Sequence, residues 1–180
     1  EVGTVTPLQQ RGNPKPRLFR NKIDKSLLNR LGFNNKGIEA LVKNLKKRKS
    51  TVPIGVSIGK NFDTPNEAAY KDYSFCMEKV YKYSSYIAIN ISSPNTKGLR
   101  ELSSNKFLCN LLKVLKDKQN ELSESFEYVP IFVKLSPDEE PEDLEQICKS
   151  ILDYGMDGII VSNTTVIHNH KNGYGGLSGS

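Results

Sequence analysis

YIAINISSPNT at residues 86–96, a helical pattern over 105–124, and VPIFVKLSPD at 129–138 decide the fold. The first and last are short β-type runs that are largely β-branched, and a strand, helix, strand order of this length is the crossover unit of a parallel sheet. The same alternation extends both ways. Short β-type runs occupy 2–6, 53–58, 86–91, 129–135 and 157–161, and helical patterns occupy 37–49, 65–83, 105–124 and 141–154. The fold class is therefore α/β. Helix starts are signalled by Thr64-Pro65 before Glu67 and by Pro137-Asp138 ahead of Glu142, and Gly155 stands where a helix would stop. The stretch 9–20, QQRGNPKPRLFR, holds two prolines and a glycine and is predicted to be a long irregular excursion.

The polar residues of these units are not scattered. Ser57, Asn90, Lys134 and Asn163 each lie at or just past the C-terminal end of an apolar strand, at intervals of 33, 44 and 29 residues. An eightfold βα barrel averages roughly 31 residues per unit, and parallel α/β proteins build their sites at the carboxyl ends of the strands. That rim is the candidate site. The spacing alone also fits an open doubly wound sheet. Eight units do not fit in 180 residues, so a barrel would here be an incomplete segment with about five strands and four helices. The ending GGLSGS reads as a glycine-rich turn.

Composition narrows the classes. The chain has 26 Lys+Arg against 20 Asp+Glu, a net charge of +6, and its 37% hydrophobic residues fall in separate short runs. That pattern excludes collagen, a coiled coil and a disulfide mini-protein, and predicts a packed core. No stretch approaches the roughly 18 continuous apolar residues of a spanning helix, and EVGTVTPLQQ lacks signal-peptide order, so the chain as given reads as soluble. The densest basic run, Lys43, Lys46, Lys47, Arg48 and Lys49, shares a helical pattern with Ile38, Leu41, Val42 and Leu45. Its charges read as the solvent side of an amphipathic helix, and no nucleic-acid partner is expected. Cys76, Cys109 and Cys148 are odd in number without a C-x-x-C, which suits reduced thiols in a cytoplasmic-type environment. His168 and His170 have no nearby Cys or carboxylate set, so they read as solvated and no metal is expected.

Several motifs then fall in one order: EVGTVTP (1–7), GNPKPRLFR (12–20), NRLGFNNKG (29–37), SIGKN (57–61), NISSPNTKGLR (90–100), VKLSPD (133–138), SNTT (162–165) and GGLSG (175–179). Together they resemble class 2 dihydroorotate dehydrogenase over essentially the whole chain. GGLSG alone is weak, whereas NISSPNTKGLR with NRLGFNN upstream and SNTT downstream is highly specific. The resemblance implies a (β/α)8 barrel that binds one FMN per subunit. It further implies oxidation of dihydroorotate to orotate in pyrimidine (UMP) biosynthesis and transfer of the electrons to a membrane quinone. Residues 1–180 would be part of that catalytic barrel, without the N-terminal membrane-associating segment and the C-terminal strands that complete the flavin phosphate site. The enzyme would sit peripherally on the cytoplasmic side of a bacterial inner membrane, or at the mitochondrial inner membrane of a eukaryote. Such a segment alone is expected to aggregate or to bind FMN only weakly, because open sheet edges carry unmet backbone groups.

By the same resemblance Ser93 is the base that takes the C5 proton while hydride leaves C6, with Thr96 and Phe33 in its relay environment. A serine is a poor base alone and needs help from neighbours and exclusion of water. Asn29, Arg30, Leu31, Gly32, Phe33, Asn90, Asn95, Asn163 and Thr164 match substrate positions, and an amide offering one acceptor and two donors suits an imide and carboxylate ring. Thr4, Ser57, Asn90, Lys134, Ser162 and Gly179 match flavin positions, the last through close backbone approach. Lys134 ends an apolar strand, an expensive place for a charge without an anionic partner, and would face the flavin N1. Arg20 matches a residue near the quinone tunnel.

Each residue also has a plainer reading. S-P-N is a common loop sequence, an asparagine at a strand end is usually a turn former, a strand-end lysine snorkels, and Arg20 suits a surface charge. Ser57 stands where the family commonly has Asn, and the 166–174 loop is short for the family. Two other classes remain: a class 1 dihydroorotate or dihydropyrimidine dehydrogenase-like FMN barrel, and a basic nucleic-acid-binding protein. The former use a cysteine base in the equivalent loop, and there is none between Cys76 and Cys109.

Overall fold

The computed structural model describes residues 1–95, 99–103 and 105–179. Strands β1 (Val2–Val5), β4 (Gly55–Ile58), β5 (Tyr86–Asn90), β6 (Ile131–Lys134) and β7 (Gly158–Ile160) form one parallel sheet in the order β1-β4-β5-β6-β7. Helices α1 (Ile38–Lys46), α2 (Ala69–Val80), α3 (Asn105–Ser123) and α4 (Pro141–Asp153) fill the crossovers. Consecutive helices lie side by side.

Side-chain alternation explains what each strand face does. Val56, Ile58, Ile87, Ile89, Ile131 and Val133 point into the helical layer and are fully buried. Burying each of these contributes about 1.5–3 kcal/mol. The intervening residues, Ser57, Tyr86, Ala88, Asn90, Phe132 and Lys134, take the opposite, concave face. There Tyr86 and Phe132 meet edge to face at 5.6 Å beneath the polar rim. Gly55 and Gly158 make room for those two rings: a Cβ at either would lie 2.0 Å and 3.0 Å from them respectively.

The helices follow from spacing. In α1 the buried Ile38, Val42 and Leu45 face the sheet, while Lys43, Lys46 and Lys47 are exposed, as expected of an amphipathic helix. Helix α2 buries Ala69, Tyr73, Cys76, Met77 and Val80. Helix α4 begins at Pro141, a favoured first position, so Pro137-Asp138 is not its start. Gly155 takes φ +63° after α4, the left-handed stop expected there. A 3-10 turn at Asn66–Ala68 leads into α2.

Two expectations are corrected. The excursion over 9–20 ends in a strand, β2 (Leu18–Asn21), which pairs antiparallel with β3 (Ser26–Asn29). The supposed terminal turn is another strand, β8 (Gly176–Gly179), paired with β3 so that Asn29 opposes Gly176 and Ser26 opposes Gly179. These strands have four residues each and polar or glycine members, so they carry no clear period-2 pattern. This small sheet carries Asn29 and brings Gly176 within contact of Thr164 and Pro94.

Candidate active site

At the carboxyl rim the side chains make one hydrogen-bonded chain. Thr4 Oγ1 lies 2.9 Å from Ser57 Oγ and accepts from Asn90 Nδ2 at 2.8 Å. Asn163 Nδ2 donates to Asn90 Oδ1 at 3.3 Å and to Ser92 Oγ at 3.1 Å. The ends of β1, β4 and β5 and the segment after β7 are thereby tied together, and Lys134 stands in register beside Asn90 on β6. From the helical side, Tyr73 of α2 donates its hydroxyl to the Asn90 carbonyl at 2.8 Å. Burial pushes that hydroxyl well above its ordinary pKa, so it remains a donor.

A cavity of about 380 Å³ opens over this rim. Thr4, Asn90, Ser93, Asn95, Lys134 and Asn163 line it from the parallel sheet and its loops, and Asn29, Leu31, Gly32 and Phe33 close it from the β3 side. Ser93 is 6% exposed, and its Oγ accepts the Asn95 backbone N–H at 3.4 Å. Asn95 Nδ2 donates to Asn29 Oδ1 at 3.0 Å, which joins the serine loop to β3. Gly32 and Phe33 both take positive φ, +67° and +53°, and this turn carries the Phe33 ring to Gly59, where a Cβ would stand 3.0 Å from it. A positive φ at phenylalanine is costly and is held here by its surroundings.

Other predicted residues are placed differently. Ser57 reaches the rim through Thr4 and is outside the cavity lining. Arg30 also lies outside it. Its guanidinium sits between the Phe19 and Tyr174 rings, at 4.8 and 4.5 Å, and donates to the Asn172 carbonyl at 3.1 Å. Arg30 therefore holds the 166–174 loop rather than facing the cavity. Thr164 packs against Gly176 behind the lining, and the exposed Ser162 hydroxyl donates to the Asn163 carbonyl at 3.0 Å. Gly179 lies in β8; a Cβ there would meet the Lys25 carbonyl at 2.5 Å, so its close approach is to the β2–β3 turn. Arg20 is exposed on β2, opposite Leu27. Thr96 falls outside the described residues.

His168 and His170 are half-buried rather than fully solvated. His168 Nε2 is 2.9 Å from the Gly175 carbonyl, and His170 Nδ1 accepts the Asn172 N–H at 3.2 Å. Among the described residues no group of three or more His, Cys, Asp or Glu could hold a metal ion.

Some participants gave no sequence signal. Glu1 lines the cavity, and its carboxylate pairs with Lys134 Nζ at 3.3 Å, supplying the anionic partner a strand-end lysine requires. Lys60 is 2% exposed just after β4 and donates to the Thr64 carbonyl at 2.8 Å; burial pulls its pKa down, against the nearby Asp72, Asp63 and Glu101 carboxylates. It braces the loop in which Asn61 bonds Thr6, Leu8 and Gln10.

Parallel βα units with polar groups gathered at the strand carboxyl ends define an α/β-barrel enzyme segment. The family model for dihydroorotate dehydrogenase matches residues 1–180, and the chain belongs to that family. Curated relatives include the dihydroorotate dehydrogenase (quinone) of Aliivibrio fischeri strain MJ11, 52% identical over 186 residues, covering 99% of this chain and 55% of the relative. That of Shewanella loihica is 53% identical over 186 residues, covering 99% of this chain and 54% of the relative. Among solved structures, Eimeria tenella DHODH in complex with ferulenol is 35% identical with a TM-score of 0.92, covering 100% of this chain and 55% of that one. The ligand-free type from the same organism is 36% identical with a TM-score of 0.89, covering 99% and 56%. The chain spans about half the length of the curated relatives it matches. Both of these curated relatives are named as quinone enzymes.

Proposed function

We propose that the chain supplies the substrate face of a quinone-dependent dihydroorotate dehydrogenase that oxidises dihydroorotate to orotate in pyrimidine biosynthesis, with FMN as cofactor. The observation that carries this reading is the Asn90 amide bridging Thr4 and Asn163, with Ser93 and Lys134 in the same cavity. The donors present fit FMN: Lys134, Asn90 and Thr4 offer a cation, an amide and a hydroxyl side by side along one wall. FMN, when bound, supplies the hydride acceptor for C6.

The chain's own residues supply the rest. Ser93 Oγ takes the C5 proton while its own hydroxyl proton passes on to a relay for which Thr96 is the candidate, and the electron pair of that C–H bond forms the C5=C6 double bond as hydride leaves C6. The Asn95 N–H stabilises negative charge on Ser93 Oγ, and the low exposure of Ser93 keeps competing water away. Asn29, Asn95 and Asn163 offer neutral donors and acceptors to a planar pyrimidine, which costs less desolvation than charged groups would. Lys134 would set its positive charge against the flavin and stabilise the negative charge that the flavin gains. Ser57 supports the wall through Thr4, and Thr164 supports it through its packing on Gly176.

Electrons then pass to a membrane quinone, with Arg20 on the exposed β2–β3 hairpin as a candidate contact. Peripheral membrane association follows from a quinone acceptor; no helix among the described residues is long and apolar enough to cross a membrane. The test is spectroscopic. The purified holoenzyme should show visible flavin absorbance that dihydroorotate bleaches and a quinone restores. A flavin-free preparation, or one that dihydroorotate leaves oxidised, would reject the reading.

A further inference from the structure

Arg100 stands in the 3-10 turn Leu99–Ser103 and lies outside the cavity lining, as does Asp138 in the loop after β6. The two form an ion pair, Arg100 Nη2 to Asp138 Oδ2 at 2.9 Å, with the side chains only 27% and 6% exposed. Arg100 donates further, through Nε to the Ser92 carbonyl at 3.3 Å and through Nη2 to the Thr164 carbonyl at 3.4 Å. Asp138 accepts the Thr165 hydroxyl and the Val166 N–H, the latter at 2.9 Å, and its own N–H bonds Ser136 Oγ at 3.1 Å. One pair thus ties together the loops that follow β5, β6 and β7. Those loops carry Ser93 and the Asn163–Thr164 segment.

We propose that Arg100 and Asp138 are positioning residues for the proton-abstraction step: together they fix the Ser92 and Thr164 carbonyls and thereby set Ser93 against the substrate held by Asn163. This rests on the function proposed above. The Ser92 carbonyl belongs to the peptide unit that leads into Ser93, so turning that peptide swings the serine hydroxyl. The planar guanidinium serves a carboxylate and two carbonyls on separate loops at once, and an ammonium point charge lacks that fork. Burial acts to raise the Asp138 pKa, but the Thr165 hydroxyl, the Val166 amide and Arg100 outweigh it and hold the carboxyl below its usual range. The aspartate therefore stays charged at neutral pH.

The test uses the holoenzyme with Arg100→Gln, Arg100→Lys, Asp138→Asn and the double variant Arg100→Gln/Asp138→Asn. Flavin content, Tm, the rate of flavin bleaching by dihydroorotate in a single turnover, and the orotate Kd read from the flavin spectrum are measured. A displacement of about 1 Å at a reacting group costs roughly 10²-fold, so Arg100→Gln should bleach about that much more slowly with flavin retained. Orotate affinity should fall by about tenfold, the loss expected when hydrogen bonds to a charged group are removed. Arg100→Lys should fall between, and the double variant should be no worse than Arg100→Gln, because Asp138 is then no longer a charge without its partner. Unchanged bleaching and orotate affinity would overturn the proposal, as would losses that merely track flavin content and Tm. Should Arg100→Gln not fold, Arg100→Lys decides by the same two readouts. Ser93→Ala at the parental rate would instead refute the base assignment, and the orotate-affinity arm would still judge Arg100 and Asp138.

Discussion

Asn90 Nδ2 donates to Thr4 Oγ1 at 2.8 Å across 86 positions of the chain. The bond spans two strands, because β4 lies between β1 and β5 in the sheet. Only a concave sheet lets side chains two strands apart touch, so this contact reports the barrel curvature directly. The Asn90 Oδ1 is spent on Asn163 and the Nδ2 on Thr4, which fixes the orientation of the amide.

Ser93→Ala should retain flavin and orotate binding and lose the oxidation rate, since only proton acceptance needs the hydroxyl. A loss of about 10²–10⁴ is the size expected of a general base. Stopped-flow bleaching of the holoenzyme by dihydroorotate measures it, and a rate close to the parent's would remove Ser93 from the chemistry.

Lys134→Ala removes the cation beside Asn90 and leaves the Glu1 carboxylate at the cavity wall with only the Tyr86 hydroxyl. Flavin should be lost on gel filtration and its reduction slowed. Lys134→Arg should recover part of the retention only, because a planar fork differs from an ammonium. The flavin-to-protein absorbance ratio after desalting is the readout, and full occupancy in the alanine variant would contradict the assignment.

Gly176→Ala should weaken orotate binding. The added Cβ would stand 1.9 Å from Thr164 Oγ1 and 3.2 Å from Pro94 Cγ, pushing on both loops that carry the site. Overpacking of this kind costs about 1–3 kcal/mol. Gly173→Ala is the control: nothing lies within 4 Å, but its φ of +78° disfavours a side chain. It should cost about 1 kcal/mol of stability and leave orotate affinity intact. Isothermal titration with orotate separates the two.

Acid should erase the stabilising part of Asp138. A carboxyl whose pKa is depressed on folding contributes stability above its unfolded pKa, about 3.9, and loses it as pH falls through the lower folded value. The parent should therefore be more stable than Asp138→Asn near neutral pH, with the gap closing below pH about 4. Thermal melts across that range test the sign; a gap that widened in acid would contradict it.

Much of this is legible in the amino-acid sequence. The order of βα units is written in apolar runs of strand and helix length, and the rim in the polar residues at the ends of those runs. Ser57, Asn90 and Lys134 fall on the concave face because alternation places them opposite the buried Val56, Ile89 and Val133. The motif NISSPNTKGLR marks the serine loop without reference to any partner.

Tertiary structure alone decided which of these groups meet. Pairing of β3 with β8 joins segments about 150 residues apart, and four-residue strands of mixed polarity leave no periodic trace. Lys134 finds Glu1, Arg30 is drawn between Phe19 and Tyr174, and Asp138 leaves the expected helix start to bind Arg100. Local propensity acts over a few residues and so writes strand and helix into the sequence. Partner choice among charged and polar side chains depends on which loops curvature brings to the same rim, and that is settled only when the sheet bends and its helices pack.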